Sequence, residues 1–133
     1  MDAPRVFTLR KEERICSKKQ IDQLFGGNSS HSVVSFPIRA VFMETAREEN
    51  QPPLKMMVSV SKRHFKRAVK RNRIKRQIKE AFRKNKYILA ETINPCLNKG
   101  ILVAFLWMDS RLIETADVEK KMCELLSRIK ERI

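Results

Sequence analysis

The residues best suited to chemistry in this sequence are the cations of one basic stretch, residues 61–86, SKRHFKRAVKRNRIKRQIKEAFRKNK. Its lysines and arginines face one acid, Glu80, and account for most of the chain's formal net charge of +14. Guanidinium and ammonium groups donate charge-assisted hydrogen bonds to phosphate oxygens. The chemistry on offer is therefore the binding of a polyanion, with an affinity that falls as the salt concentration rises.

An amphipathic helix would position these cations. Apolar residues recur at helical spacing and form one stripe, namely Ile74, Ile78, Ala81 and Phe82. The opposite face is polar and basic, with Asn72, Arg76, Lys79 and Arg83 flanked by Arg73 and Lys75. We predict that the stripe docks on a core and that the other face is offered to nucleic acid.

A solvated, salt-bridged helix is the alternative interpretation, and it requires both signs of charge at i,i+4 spacing. In the basic stretch only Glu80 is negative, and Arg76 and Lys84 are the residues with which it could pair at this spacing. Like charges at this density repel one another. The pattern therefore favours a nucleic-acid surface over a merely solvated face.

Length and composition indicate one domain spanning residues 1–133. An apolar fraction of 42% supports a core, and a pI near 10.2 indicates phosphate-rich partners. Cys16, Cys96 and Cys123 are odd in number, widely separated and without a CxxC pair. They predict reduced thiols, and neither a disulfide framework nor a zinc site.

Targeting and catalytic motifs are not evident in the sequence. The first residues lack the apolar core of a signal peptide, and the longest apolar run, residues 101–108, is too short to span a bilayer. We therefore expect a soluble, cytoplasmic protein. Only His31 and His64 are histidines, and no nucleophile, phosphate-loop or metal-ligand pattern accompanies them. The sequence by itself predicts no catalytic residue and no metal ligand.

The N-terminal region is predicted to contain an arm and a short helix. Residues 1–16 should form an extended arm. Ser17 is a suitable N-cap, and Gly26-Gly27 a suitable stop, for a helix with Ile21, Leu24 and Phe25 on its apolar stripe. A polar turn is expected over residues 28–32.

Two strands are predicted before the basic helix. Residues 33–44 form the first, at a sheet edge or bulged at Pro37, because proline donates no ladder hydrogen bond. Residues 45–53 form a hairpin connection to the second strand, residues 54–60. Whether the segment before that strand holds part of a third is left open.

The region after the basic helix is predicted to hold a strand and a helix. Residues 87–97 form a connection broken at Pro95. Residues 101–107 are continuously apolar and predict a strand covered on both faces. A C-terminal helix begins near Thr115.

The basic stretch closely resembles the signature of the bacterial ribonuclease P protein subunit. In that family a strand ending in S-V-S/A-K-K leads through a basic loop to an R-N-R helix with an E-A/S-F-R ending. The matching residues are Ser59, Val60, Ser61, Lys62, Arg63, Ala68, Arg71, Asn72, Arg73, Ile74, Lys75, Arg76, Glu80, Phe82 and Arg83. The order of elements agrees over nearly the whole chain.

The resemblance implies a fold and a function. The implied fold is a single α+β domain of order αβββαβα, a ribosomal-protein-like sandwich with a mixed sheet and a left-handed βαβ crossover. Members bind a catalytic RNA, and the complex removes the 5′ leader of precursor tRNA. The RNA performs the hydrolysis with Mg²⁺, so the implied partners are that RNA and precursor tRNA. No metal bound by the protein itself, no membrane and no protein partner are implied.

The resemblance also implies two sites. The surface for the RNA subunit comprises Lys62, Arg63, Lys66, Arg67, Arg71, Asn72, Arg73, Lys75, Arg76, Lys79 and Arg83. The second site is a cleft between the first helix and the sheet, where stacking surfaces beside positive charge hold the single-stranded leader. Its candidate residues are Ile21, Phe25, Arg39, Val41, Ser59 and Ser61.

Three positions depart from the family pattern. Ile21 replaces the first of two helix aromatics, which predicts weaker stacking there. Arg39 stands where an aliphatic or aromatic residue is common, and it either contacts the leader or points to solvent. Trp107 ends a strand that often carries Ala-Arg at its close, and a core or cleft-lining role is favoured over stacking on RNA.

Two other functions remain open. One is a structural RNA-binding protein of the ribosomal type, without a role in cleavage. The other is a DNA-binding basic helix of the zipper type, against which Pro95 and the missing heptads after Phe82 argue.

Overall fold

The computed structural model describes residues 14–15, 18–26, 30–46, 52–93 and 99–133. The elements, in chain order, are α1 (Lys18–Gly26), β1 (His31–Ser35), β2 (Ile38–Ala46), β3 (Leu54–Val60), α2 (Ala68–Asn85), α3 (Tyr87–Ile93), β4 (Lys99–Trp107) and α4 (Thr115–Arg132). The expected α+β class is confirmed, and the αβββαβα order holds with α3 as an additional helix.

The four strands form one mixed sheet in the order β1-β2-β4-β3. The β1–β2 and β2–β4 pairs are antiparallel, and the β3–β4 pair is parallel. Strand β4 is therefore central, and its residues 100–105 are all buried. This confirms the prediction that residues 101–107 form a strand covered on both faces.

Helices cover both faces of this sheet. Successive strand residues point to opposite sides, so each face contributes side chains to a core of its own. One face carries the larger core, in which Phe42, Met56 and Phe105 pack under α2, α3 and α4. The other face carries a smaller core, in which Leu24 of α1 packs with its neighbours Ile15, Val41, Leu102 and Ala104. We call these the α2 face and the α1 face.

The prediction of one strand over residues 33–44 is wrong. Phe36 and Pro37 form a turn, after which β2 folds back beside β1. The proline has no N–H to continue a ladder, which is why the strand stops there. The segment predicted as one strand therefore holds two, β1 and β2, and together with β3 they supply the three consecutive strands of the αβββαβα order. Strand β1 begins at His31, inside the predicted polar turn.

The predicted hairpin over residues 45–53 is also wrong, because β4 lies between β2 and β3. Residues 45 and 46 extend β2, while residues 47–51 lie outside the described part. A local hairpin is the commoner solution, but here the long apolar strand β4 takes the central position, where both of its faces are buried.

The predicted connection over residues 87–97 contains a helix, α3. Its Leu89 and Ile93 are buried in the larger core. Lys86, between α2 and α3, has helical backbone angles, φ −58° and ψ −22°. Pro95 lies among residues 94–98, outside the described part, as do Ser17 and most of the predicted N-terminal arm.

The connection from β3 through α2 and α3 to β4 joins neighbouring parallel strands and places α2 over one face of the sheet. The left hand of this crossover stays a prediction. The C-terminal helix begins at Thr115 as expected, and its apolar stripe is fully buried: Val118, Met122, Leu125, Leu126 and Ile129. In the described residues no helix is long and apolar enough to cross a membrane.

Candidate nucleic-acid interface

Helix α2 is anchored through the apolar stripe that the sequence predicts. Ile74, Ile78 and Phe82 are completely buried. On the flank towards α4, the buried Gln77 donates from Nε2 to Ile113 O and Thr115 Oγ1, both at 3.2 Å. These contacts fix the rotation of α2 about its axis, so that its basic side is turned away from the sheet.

All the residues implied as contacts for the RNA subunit lie on α2 or on the loop before it, residues 61–67. Those fully on the outside are Lys62, Arg63, Lys66, Arg67, Asn72, Arg73 and Arg76. Those that are partly buried are Arg71, Lys75, Lys79 and Arg83. We call this set the basic surface. Contact between this surface and RNA stays a prediction.

The loop over residues 61–67 is held in a defined conformation. The Ser61 carbonyl accepts hydrogen bonds from the amides of His64 (3.1 Å) and Phe65 (3.3 Å). The Phe65 side chain is 5% exposed and belongs to the larger core. His64 Nδ1 lies 3.2 Å from Ser110 Oγ, beyond the end of β4. The loop cations are therefore carried on an ordered backbone.

Arg71 has a role in this loop that the sequence analysis did not foresee. Its Nη1 donates to the carbonyl oxygens of Phe65 (2.7 Å) and Lys66 (2.8 Å). One guanidinium nitrogen thus ties the first turn of α2 back to the loop that precedes it. No local periodicity signals such a contact, because it depends on how the loop enters the helix.

Glu80 forms its ion pair with Arg83, three residues along the helix, whereas the i,i+4 spacing indicated Arg76 or Lys84 as partners. Arg83 donates from Nε at 3.0 Å and from Nη2 at 2.5 Å, one to each carboxylate oxygen. This hydrogen bonding lowers the pKa of Glu80 and raises the pKa of Arg83. The charge of Lys84 still acts on Glu80 and helps to lower its pKa. The i,i+3 spacing lets the planar guanidinium meet both oxygens, so part of Arg83 is already engaged by an acid.

Lys79 lies on the flank of α2 opposite Gln77. Burial lowers its pKa, and the nearby charges of Arg14 and Lys75 lower it further. Lys79 is therefore crowded by other cations on this flank.

A groove of about 230 Å³ lies between α1 and the sheet. Its lining residues are Leu24, Phe25, Ser30, His31, Ser32, Arg39, Val41 and Leu106. Phe25 is 48% exposed. Arg39 is exposed, and its Nη2 lies 3.5 Å from Ser32 Oγ. The groove thus combines an accessible aromatic ring with a guanidinium group, which suits an unstacked nucleotide and its phosphate.

The sheet register explains which predicted cleft residues come together. Arg39 pairs with Leu106, and Leu106 pairs with Ser59, so these three side chains form one row on the α1 face. Arg39 and Ser59 are separated by two strand spacings, about 10 Å. Arg39 and Val41 line the groove, whereas Ser59 lies on the same row beyond it.

Two other predicted cleft residues do not line the groove. Ile21 packs against the smaller core under α1. Ser61 belongs to the basic loop, where its Oγ accepts a hydrogen bond from the Arg63 amide at 3.1 Å.

Sequence reasoning did not predict five of the eight lining residues for the cleft, namely Leu24, Ser30, His31, Ser32 and Leu106. The two-residue alternation of β1 was hidden because the predicted polar turn covers residues 28–32. Leu106 lies in a continuous apolar run, which has no alternation.

Trp107 is 3% exposed and lies in the larger core, which confirms the core role predicted for it. Within the described ranges, no three His, Cys, Asp or Glu side chains lie close enough together to hold a metal ion. The chemistry supported by these geometries is the binding of phosphate and nucleobase groups.

Comparison with known proteins agrees with this chemistry. The family model for Ribonuclease P matches residues 9–130. Ribonuclease P protein components from two strains of Porphyromonas gingivalis are each 35% identical to this chain over 129 residues, covering 97% of it and 91% of the relative.

Solved structures share the fold at lower identity. An RNase P protein mutant from Staphylococcus aureus matches with a TM-score of 0.67 at 20% identity, over 90% of both chains. The RNase P protein from Thermotoga maritima matches with a TM-score of 0.64 at 21% identity, over 87% of this chain and 96% of that one. With the family model and the two P. gingivalis relatives, these findings show that the chain belongs to the ribonuclease P protein components, the protein subunits of this tRNA-processing ribonucleoprotein.

Proposed function

We propose that this ribonuclease P protein component binds the catalytic RNA subunit through its basic surface and holds the 5′ leader of precursor tRNA in the groove beside α1. The observation that carries the proposal is the placement of the cations. The apolar stripe of α2 is buried, and the loop backbone is fixed by hydrogen bonds, so the cations are presented outward together. A preorganised array loses less conformational entropy when it binds phosphates.

The groove offers the contacts that a single strand needs. Phe25 offers a stacking face that tolerates any base, while Arg39 offers a charge for the backbone. Because Ile21 is aliphatic and packs against the smaller core, stacking on α1 depends on Phe25. Contact with the leader and exposure to solvent are compatible for Arg39, because an exposed guanidinium group at the groove is available to a leader that arrives from solvent.

In this proposal the RNA subunit, together with Mg²⁺, performs the phosphodiester hydrolysis in the cytoplasm. Neither histidine is assigned a catalytic role in this proposal. His64 is tied to Ser110 beside the basic loop, and His31 lies at the rim of the groove with its ring 5.7 Å from that of Phe42. The protein contributes binding and orientation, and we expect it to cut nothing when purified alone.

The alternative is a structural RNA-binding protein of the ribosomal type, and depletion of the chain in cells separates the two functions. We expect precursor tRNAs with uncut 5′ leaders to accumulate on depletion, while ribosome profiles on a sucrose gradient stay unchanged. Co-sedimentation of the chain with ribosomal subunits, without any accumulation of 5′ leaders, would instead support the alternative.

A further inference from the structure

The described part of the N-terminal arm lies along the outer edge of the sheet. Arg14 forms an isolated parallel bridge with Met56 of the edge strand β3. The Ile15 amide donates to the Met56 carbonyl at 2.9 Å. These two residues therefore continue the sheet by one short, strand-like contact.

The direction of the Arg14 side chain follows from this pairing. Ile15 is buried in the smaller core on the α1 face. Neighbouring residues of an extended chain point to opposite faces, so Arg14 points to the α2 face. Its bridge partner agrees, since the Met56 side chain is buried in the larger core on the α2 face. Arg14 itself is exposed.

Helix α2 presents two lysines to the same place. Lys75 and Lys79 are one turn apart on the flank of α2 opposite Gln77, away from α4, and both are half-buried. Both Arg14 and Lys75 act electrostatically on Lys79. Three cations from two separate elements thus converge at the edge of the sheet, although like charges at short range repel.

We propose that Arg14, Lys75 and Lys79 form one binding site for a phosphodiester group of RNA, which joins the N-terminal arm to α2. An anion seated among them converts mutual repulsion into attraction, and the Arg14 guanidinium can meet two phosphate oxygens at once. The RNA interface then extends beyond the helix and loop on to the arm. This inference rests on the proposed function, since it needs RNA at the flank of α2.

The test is the salt dependence with which the chain binds the ribonuclease P RNA of the same genome. For Arg14→Gln we expect about tenfold weaker binding and a plot of log affinity against log salt that is shallower by about 0.7–0.9, the value of one phosphate contact. The matched control is Arg132→Gln, an exposed arginine in the last turn of α4, which should change neither quantity. Arg14→Lys should restore the salt dependence, because it keeps the charge, but only part of the affinity, because an ammonium group lacks the planar fork that meets two phosphate oxygens.

A double-variant cycle tests whether the three cations share one phosphate. Arg14→Gln and Lys79→Gln together should weaken binding by less than the product of their separate effects, because the second change acts on a site already lost. Multiplicative effects would mean separate phosphates and would overturn the shared site. If Arg14→Gln binds the RNA with the same affinity and salt dependence as Arg132→Gln, Arg14 does not contact the RNA.

Lysine acetylation followed by mass spectrometry provides a measurement on the unaltered chain. Addition of the RNA should protect Lys75 and Lys79 from the reagent, and equal modification with and without RNA would contradict the site. If the unaltered chain does not bind the RNA at all, the proposed function fails. If it binds but the Arg14 predictions fail, the proposed function stands without this inference.

Discussion

Arg71 and Arg73 lie two residues apart in the first turns of α2, and the structure predicts that their replacement by alanine has different consequences. Arg71 donates from Nη1 to two loop carbonyls at 2.7 and 2.8 Å. Arg73 is exposed on the basic surface. We therefore expect Arg71→Ala to lower the free energy of unfolding, and Arg73→Ala to leave it unchanged while weakening RNA binding.

The size of the Arg71 effect follows from its two hydrogen bonds. A hydrogen bond from a charged donor contributes about 1.5–3 kcal/mol when buried. Since the loop carbonyls can be rehydrated after the change, we expect a total loss of about 1–2 kcal/mol. For a domain of this size that corresponds to a fall in melting temperature of roughly 3–8 °C.

The assay pairs a thermal melt of the free protein with a salt titration of its binding to the RNA subunit. Arg73→Ala should have the same melting temperature as the unaltered chain. Its plot of log affinity against log salt should be shallower by roughly the value of one phosphate contact. Amide hydrogen exchange in residues 61–67 should increase in Arg71→Ala alone. An unchanged melt for Arg71→Ala would refute the loop role, and an unchanged salt slope for Arg73→Ala would place Arg73 off the RNA.

Three further predictions concern the groove, the core and an acid-sensitive contact. Phe25→Ala should weaken binding of leader-bearing precursor tRNA by about 1–3 kcal/mol, the cost of one lost stacking contact, and leave mature tRNA binding unchanged; equal losses for both RNAs would show that Phe25 only packs. Ile78→Ala should destabilise the protein by about 2–5 kcal/mol in denaturant titration, because Ile78 is fully buried, and a loss below about 1 kcal/mol would contradict that packing. Ser35 donates to Glu124 at 2.6 Å and lowers its pKa, so the contact stabilises the fold above the ordinary pKa of 4.5 and is lost as the pH falls through the lowered value. Glu124→Gln should therefore lose less stability on acidification than the unaltered chain, and identical pH profiles of the melting temperature would argue against the contact.

The parts of the fold that depend on local pattern were predictable from the sequence. The stripe of α2 and the stripe of α4 were identified from helical spacing, and β4 from its continuous apolar run. In each of these elements the pattern of apolar residues in the sequence coincides with the positions that are buried. The family and its order of elements followed from the motif around Arg71, Asn72 and Arg73.

The errors arose where the outcome depends on contacts distant in sequence. The segment around Pro37 has strand composition throughout, and only the pairing of β1 with β2 shows that it is a turn. The central place of β4 could not be inferred from β2 and β3, because the order of strands is decided by which one needs burial on both faces.

The candidate site shows the same division. The residue types of the basic surface were evident, but the bonds that order it were not. Arg71 reaches back to the carbonyl of Phe65, and Arg83 engages Glu80, through geometry that spacing alone does not specify. Ser30 and Leu106 enter the groove only because the strand register brings them beside Arg39.

The most direct test of the central claim is reconstitution of cleavage with the ribonuclease P RNA from the same genome and a 5′-labelled precursor tRNA. We predict that the purified protein alone releases no leader, and that its addition to the RNA lowers the Mg²⁺ and monovalent salt concentrations needed for leader release. The same gain should shrink in Arg73→Ala, which alters only the basic surface. Cleavage by the RNA that is unaffected by the protein at every Mg²⁺ concentration would contradict the account.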